Sequence, residues 1–190
     1  MSMRHSSGNV SFLVCALLTF ALAARPTPRL AAQTEAPVVG ARMVLATDAV
    51  HPGAPAQAAV VAQIAAGYHI NDHRPSLDYL IPTELKLEPE KPVAVTKIDY
   101  PKGELVKLAF SDSPLSVYQG KIVVGTTLKI APATAPGSYT VKGKFAYQAC
   151  NDHACLPPTS VPVTLSVKVV DREVPLKAVN TDVFNARVSN

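Results

Sequence analysis

Apolar residues recur at every second position over long stretches of this chain, and this period of two limits its fold more than any other feature. In residues 160–170 the apolar side chains run from Val161 to Val169, with polar residues or Pro162 between them. Because successive side chains of a strand point to opposite faces of a sheet, the pattern predicts a half-buried strand. Pro162 has no N–H to donate, so we expect this strand at a sheet edge.

Residues 138–149 show the same alternation, and we predict that they pair with residues 160–170 as an antiparallel hairpin. Further segments with a strand pattern lie between turns that contain proline or glycine. They are residues 42–47, 57–64, 83–88, 94–98, 105–110 and 121–130. About seven or eight strands at this spacing, with no long helical pattern, predict an all-β fold, namely an immunoglobulin-like β-sandwich in a single domain.

Residues 1–32 predict a secretory signal peptide and leader. Arg4 precedes an almost wholly apolar run at residues 10–24, and small residues at 21–23 suit cleavage by signal peptidase. This run is shorter than the roughly 20 residues that a spanning helix needs, so we expect no membrane span in the mature chain. An uncleaved N-terminal anchor is the alternative. Cys15 lies within the run without a small-residue lipobox before it, so we assign it to the leader.

Residues 36–170 are then the folded domain, and residues 171–190, which lose the alternation, predict a loosely ordered C-terminal tail. The net charge of +4 does not describe this domain, because three of the 18 basic residues, Arg4, Arg25 and Arg29, precede Gln33. From there onward 15 basic residues face 14 acidic ones. A nearly neutral chain lacks the basic patch that nucleic-acid binding requires, so no nucleic-acid partner is expected.

Two of the three cysteines, Cys150 and Cys155, lie after the leader and bracket the connection between the two clearest strands. In an oxidising compartment they would form a disulfide, since a short hairpin brings Cα atoms within about 4.4 to 6.8 Å. As a structural staple the pair is poorly placed, because closing a loop of about six residues adds only about 2 kcal/mol. As a redox pair it is well placed, because an incoming thiolate can reach a sulfur at an exposed loop tip. Spacing alone leaves both interpretations open.

A metal site is the third interpretation of this loop. His153 lies between the cysteines with Asp152 beside it, and His69 and His73 occur earlier in the chain; all are ligands for zinc or copper. The loop lacks the second cysteine pair of recognised zinc sites, and a loop histidine is more often solvated than bound to metal. His153 could also act on a thiol directly, since a cationic imidazole lowers the pKa of a nearby cysteine.

Short motifs in three places carry a family resemblance. They are YQAC at residues 147–150 with CLPP at 155–158, GYHIN at 67–71 followed by LIPT at 80–83, and YPKG at 100–103 with Tyr118 downstream. The first of these resembles the active-site hairpin of the amino-terminal periplasmic domain of DsbD, the thiol:disulfide interchange protein, and the others are similar to segments of the same domain family. The similarity spans residues 36–170, and it implies an immunoglobulin-like fold independently of the strand pattern.

The resemblance implies that Cys150 and Cys155 are the catalytic pair of a thiol:disulfide interchange reaction that needs no cofactor. The partners it implies are thioredoxin-like or other redox proteins of the periplasm. Full-length members continue into transmembrane helices, whereas this sequence stops at Asn190, so we expect either a separate membrane reductant or a domain that has left this pathway. Counting onward from Pro101 places Phe110 where the family carries an aromatic cap over the disulfide. An ordinary core aromatic is the alternative for Phe110.

Several positions near the motifs depart from the family pattern. Leu108 and Ala109 stand where the best-known member has acidic residues, and His69 and Asn71 stand where it has tyrosines. His69 and Asn71 share one face of a strand, from which His69 could tune the thiol or help to hold a metal. A surface histidine after a turn is the alternative.

Four residues are therefore expected as neighbours of the cysteines: Tyr68, His69, Asn71 and His153. Two alternatives to the redox function stay open. One is a copper- or zinc-binding periplasmic module, and the other is a non-catalytic immunoglobulin-like interaction domain with a structural disulfide.

Overall fold

The computed structural model describes residues 37–108 and 111–186, so the predicted leader lies outside the described residues. The described residues form strands and one short helix. These are β1 (Val39–Leu45), β2 (Pro55–Ile64), β3 (His69–Asn71), β4 (Glu84–Pro89), β5 (Val93–Asp99), β6 (Glu104–Val106), β7 (Leu115–Tyr118), β8 (Lys121–Ile130), β9 (Gly137–Tyr147), β10 (Ala149–Cys150), β11 (Thr159–Val169) and α1 (Thr181–Ala186). No helix in this part of the chain is long and apolar enough to cross a membrane.

The strands form three sheets in which hydrogen-bonded neighbours run antiparallel. The first sheet has the order β1-β2-β8-β5, the second β11-β9-β4, and the third, smaller sheet β10-β3-β7-β6. One hydrophobic cluster takes buried residues from the first two sheets, which therefore face each other across a common core. The predicted all-β, immunoglobulin-like sandwich is confirmed.

Large side chains from both main sheets fill this core. Val60 and Val124 of the first sheet and Phe145 and Val167 of the second are each 0% exposed. Ile70 of the third sheet belongs to the same cluster. The small sheet is therefore anchored on the sandwich by the side chains that it buries.

The two clearest sequence segments form the predicted hairpin. β9 and β11 pair over their whole length, from Thr159 opposite Tyr147 to Val169 opposite Gly137. The buried residues of β11 are at odd positions from Val163 onward, and Pro162 is exposed in a strand that ends its sheet. Period two therefore identified the pairing, and Pro162 identified the edge.

The short strands of the small sheet differ from the predicted strands. The segment predicted as a strand over 105–110 is β6, which ends at Val106, and residues 109–110 lie outside the described ranges. β7 and β10 were not predicted as separate strands, because four and two residues show too little alternation to detect, and of β3 only the shared face of His69 and Asn71 was predicted. These three strands and β6 make up the small sheet that carries Cys150.

The C-terminal segment is ordered over residues 171–186, which corrects the prediction of a loosely ordered tail. Its backbone binds the sandwich through two side chains, because His51 Nε2 lies 2.9 Å from Val174 O and Asp48 Oδ1 accepts the N–H of Lys177 at 3.0 Å. Val183 of α1 is buried against the first sheet. Hydrogen bonds to loop side chains leave no periodic pattern in the sequence, so the period of two could not predict these contacts.

Replacing Phe145 with alanine tests the shared core. We expect a loss of about 3 to 5 kcal/mol in the free energy of unfolding, because truncating a buried aromatic ring removes its contacts and leaves a cavity. Urea unfolding is the measurement. Lys168→Ala, at an exposed position of β11, should change stability by no more than about 0.5 kcal/mol. Equal effects of the two substitutions would contradict a core centred on Phe145.

Candidate functional site

The two cysteines close a tight turn at one end of the small sheet. Cys150 ends β10, and the chain reverses over residues 151–154 so that Cys155 stands directly opposite Cys150. The turn is held by the side chain of Asn151, whose Oδ1 accepts the N–H groups of His153 and Ala154, each at 2.9 Å. Asparagine favours such turns because its amide can bind the backbone just ahead of it.

Backbone hydrogen bonds flank the cysteine pair on both sides. Asn151 N donates to Ala154 O at 3.0 Å, and Leu156 N donates to Ala149 O at 2.8 Å. The cysteines therefore occupy a non-hydrogen-bonded cross-strand position, where opposite Cα atoms come closest. They are joined by a disulfide, and their Cα atoms are 3.9 Å apart. This separation is slightly shorter than the predicted range.

The two ends of the disulfide differ in exposure. Cys150 is 1% exposed, whereas Cys155 belongs to an exposed run that continues through Leu156 and beyond. A reagent or a protein approaching this end of the domain therefore meets Cys155 first.

His69 lies on the other side of Cys150. In the pairing of β10 with β3, Cys150 is directly opposite His69, and directly opposite residues project from the same face of a sheet. Cys155, Cys150 and His69 thus form a row across three adjacent segments of chain. The turn into β3 depends on Gly67, whose φ of 80° lies in the left-handed region that glycine adopts without strain.

His69 is buried, so the alternative of a surface histidine is wrong. The residue is 3% exposed, and its Nε2 has no hydrogen-bond partner among the described residues. Burial lowers the pKa of His69 because it disfavours the charged imidazolium, while the nearby negative charge of Asp152 acts in the opposite direction. The imidazole is therefore a neutral base at neutral pH, with a ring nitrogen left unpaired.

The other predicted neighbours have different surroundings. Asn71 is buried, and its Nδ2 donates to Ile81 O at 2.9 Å, so its amide holds the loop that follows β3. Tyr68 is half-buried and lines a cavity of about 440 Å³ together with His69, Leu108 and Asp152. The side chain of His153 is exposed on the cysteine loop. Phe110, the predicted cap, lies outside the described residues.

The proposed metal ligands do not converge among the residues that the structure describes, since no group of three or more His, Cys, Asp or Glu side chains there could hold an ion. His73 is engaged elsewhere. Its ring stacks on Tyr100 with centroids 3.7 Å apart, and its Nδ1 lies 3.0 Å from Thr83 O. The sulfurs of both cysteines are bonded to each other.

Asp72, which sequence reasoning missed, fixes the loops around the small sheet. Its carboxylate accepts hydrogen bonds from the hydroxyls of Ser116 and Tyr118, each at 2.6 Å, and from the N–H groups of Gly103 and Arg74, each at 3.1 Å. A side chain at Gly103 would collide with this carboxylate. The signal in the sequence was an aspartate at the start of a loop, because the side chain of such a residue often accepts the backbone N–H two residues further on, here that of Arg74, in an Asx-turn.

These hydrogen bonds also set the ionisation of the group. Burial alone would raise the pKa of Asp72, but its hydrogen-bond donors favour the carboxylate and together hold that pKa below its usual value. Burial and the hydrogen bond to Asp72 raise the pKa of Tyr118 well above its ordinary range. The network therefore contains a fixed carboxylate and a neutral phenol at neutral pH.

Fold and site together define a class of protein: an all-β sandwich that carries a disulfide at the tip of a hairpin, with one cysteine buried and the other exposed. Residues 39–166 match the family model described as thiol:disulfide interchange protein DsbD, N-terminal. The chain belongs to this family.

Solved structures with similar folds share little sequence with the chain. The reduced N-terminal domain of DsbD from Neisseria meningitidis is 20% identical, with 66% of this chain and 86% of that chain covered and a TM-score of 0.39. For the N-terminal periplasmic domain of ScsB from Proteus mirabilis the identity is 13%, the coverages are 65% and 44%, and the TM-score is 0.44.

A complex between the N-terminal domains of DsbD and PilB from Neisseria meningitidis matches at 19% identity, covering 63% of this chain and 79% of that chain, with a TM-score of 0.37. No curated protein matches the chain. Family membership therefore rests on the sequence match over residues 39–166.

Replacing Asp72 with asparagine tests the network. We expect a loss of about 1 to 3 kcal/mol in unfolding free energy at neutral pH, because donors then face an uncharged amide. The folded-state pKa of Asp72 lies below the unfolded one, so its contribution is complete above about pH 4 and is lost as the pH falls through the folded value. The wild-type and variant curves of stability against pH should therefore converge in acid.

Urea unfolding between neutral and acid pH measures this difference. Asp78→Asn, an exposed acid in the same loop, is the matched control and should leave stability nearly unchanged. A gap between wild type and Asp72→Asn that stays constant down to strongly acid pH would contradict the role of the Asp72 charge.

Proposed function

We propose that this chain is a periplasmic thiol-disulfide exchange domain whose Cys150 and Cys155 pass reducing equivalents to and from protein partners. The observation that carries the proposal is a disulfide between one exposed and one buried cysteine at a hairpin tip, in a member of the DsbD N-terminal family. Exchange requires in-line access to only one of the two sulfurs, which this asymmetry supplies.

The difference in exposure supports an order for the two cysteines. A donor thiolate attacks Sγ of Cys155, the disulfide breaks, and its electron pair passes to Sγ of Cys150. The donor's second thiolate then attacks the donor sulfur of the mixed disulfide and releases Cys155 as a thiolate. The donor leaves oxidised, and the domain is left with two reduced cysteines.

Delivery to a client reverses these steps. The Cys155 thiolate attacks the client disulfide and forms a mixed disulfide, and the second client sulfur leaves as a thiolate. Cys150 loses its proton and attacks Sγ of Cys155, which re-forms the domain's disulfide and releases the first client sulfur. Cys155 is therefore the residue that meets partners, and Cys150 is the resolving residue.

The scaffold can tolerate this cycle because the disulfide spans one turn and no long segment of chain. Backbone hydrogen bonds on both sides of the cysteine pair, and the Asn151 side chain within the turn, do not depend on the S–S bond. A loop of about six residues gains only about 2 kcal/mol from its cross-link. The sandwich core should therefore stay folded when the bond opens.

The partners we propose follow from the family. The clients are thioredoxin-like or other redox proteins of the periplasm, and the donor is a membrane-embedded reductant. Export through the leader at residues 1–32 would bring the domain to that compartment. The Neisseria complex of DsbD and PilB domains is an example of a partner contact in a related protein.

Trapping with single-cysteine variants tests the assigned order. In a chain that carries Cys15→Ser, adding Cys150→Ser leaves the exposed Cys155. The partner is a purified thioredoxin-like protein that lacks its own resolving cysteine and whose remaining cysteine is in a disulfide with a small aromatic thiol. The Cys155 thiolate should displace the aromatic thiolate and accumulate a mixed disulfide with the partner. Adding Cys155→Ser leaves only the buried Cys150 and should give at least about tenfold less adduct, because access controls the reaction. Non-reducing gels and mass spectrometry measure the adducts. Equal trapping by both variants would refute the order, and no trapping by either would refute exchange with such partners.

Reduction without unfolding separates the redox proposal from a structural staple. Dithiothreitol should reduce the Cys150–Cys155 bond while lowering the free energy of unfolding by no more than about 2 kcal/mol. Circular dichroism and urea unfolding of the oxidised and reduced forms provide the measurement. A reduced domain that loses its β-sheet signal would show that the disulfide maintains the fold, contrary to the proposal.

A further inference from the structure

The resolving cysteine must lose a proton in a place where water has little access. Cys150 is 1% exposed, and Ala149, which precedes it in the chain, is also buried. Burial away from water disfavours a charged thiolate, yet only the thiolate can attack a disulfide. The exchange cycle proposed above therefore needs a group beside Cys150 that takes this proton.

Among the described residues, the register places one suitable base there. His69 is directly opposite Cys150 across the pairing of β3 and β10, on the same face of the small sheet. The side chains of directly opposite residues have Cβ atoms about 4.5 to 5.5 Å apart, which is within reach of an imidazole and a thiol after small rotations. Cys155 lies on the opposite side of Cys150, so the base and the target sulfur flank the attacking sulfur.

The state of this imidazole fits the task. His69 is buried, and its Nε2 has no hydrogen-bond partner among the described residues, which is uncommon for a buried polar atom and calls for an explanation. A nitrogen committed to a carbonyl or a hydroxyl could not take up a proton from a thiol. The unpaired nitrogen is free to do so.

One charged group near His69, Asp152, favours a transient positive charge on the imidazole. Asp152, on the cysteine turn, lines the same cavity and attracts an imidazolium electrostatically. The other titratable groups that line the cavity are Tyr68, next to His69 in the chain, and Lys107, after β6. The carboxylate of Asp152 would offset the charge that His69 acquires. Because burial disfavours the imidazolium, His69 would afterwards release the proton to solvent.

We propose that His69 accepts the proton of the Cys150 thiol as Cys150 attacks the mixed disulfide on Cys155. This inference rests on the proposed exchange function. The S–H bond of Cys150 breaks, its proton moves to the imidazole, and the sulfur electron pair forms the new bond to Sγ of Cys155. The client sulfur leaves with the electron pair of the mixed disulfide. In the reducing direction the imidazolium returns a proton to the Cys150 thiolate.

An aromatic disulfide that releases a coloured thiolate isolates this step without any protein partner. Added in excess to the reduced full chain carrying Cys15→Ser, it should release thiolate in two phases. The first reports attack by Cys155, and the second reports resolution by Cys150. Cys150→Ser should abolish the second phase alone, which assigns the two phases.

His69→Gln should slow the second phase at neutral pH by about 100-fold, the lower end of the typical contribution of a proton-transfer group, and leave the first phase unchanged. His51→Gln, a histidine on the sandwich that contacts Val174, is the matched control and should change neither phase. Equal slowing of both phases would assign His69 a structural role and overturn the proposal, and so would an unchanged second phase.

A measurement that leaves His69 in place keeps the test valid if His69→Gln fails to fold. Nuclear magnetic resonance of the His69 ring gives the pH midpoint of its titration. In the chain carrying only Cys15→Ser, the second-phase rate should decrease at pH values below that midpoint, because a protonated imidazole cannot accept a proton. A pH profile without an inflection at that midpoint would overturn the proposal. Failure to trap a protein partner would instead count against the exchange function and leave this result unaffected.

Discussion

The pairing of β10 with β3 is the constraint on which the site depends. It places Cys150 opposite His69 and leaves the other edge of β10 open for Cys155. Because side chains alternate between faces, a slip of one residue would turn His69 away from the disulfide and bring Ile70 or Tyr68 into its place. Two residues of β10 can hold this register only because longer elements hold β3: Ile70 is part of the main core, and Asn71 pairs with β7.

The small sheet is in turn fixed by polar contacts, which the two large sheets do not need. Asp72 leaves β3 and binds Ser116 and Tyr118 of β7 as well as Gly103 before β6. A carboxylate that accepts several hydrogen bonds at once specifies the relative position of the loop after β3, strand β7 and the segment before β6, whereas apolar contacts alone would let short strands slide. Hydrophobic burial therefore stabilises the sandwich, and an ionised hydrogen-bond acceptor orients the part of it that carries the cysteines.

The sequence predicted those parts of the protein that repeat a pattern over many residues. β8, β9 and β11 are ten or eleven residues long, and their alternation identified the fold and the hairpin that brackets the cysteines. Strands of two to four residues, the Asp72 network and the ordered tail have no comparable repeat, since they depend on contacts between distant segments. His69 was selected from the sequence, but its burial and its pairing with Cys150 depend on β3 and β10, which are too short to detect.

An exposed and a buried cysteine make different demands on their surroundings. Cys155 must be accessible to partners, and it is exposed; Cys150 is buried, which protects it from outside reagents, but burial also disfavours a charged thiolate. Protection and reactivity of Cys150 therefore conflict unless a base is buried with it. An imidazole suits this position better than a carboxylate, because burial keeps it neutral and ready to accept a proton, whereas burial would drive a carboxylate to its protonated form. The lowered pKa of His69 is thus a consequence of the same burial that creates the need for it.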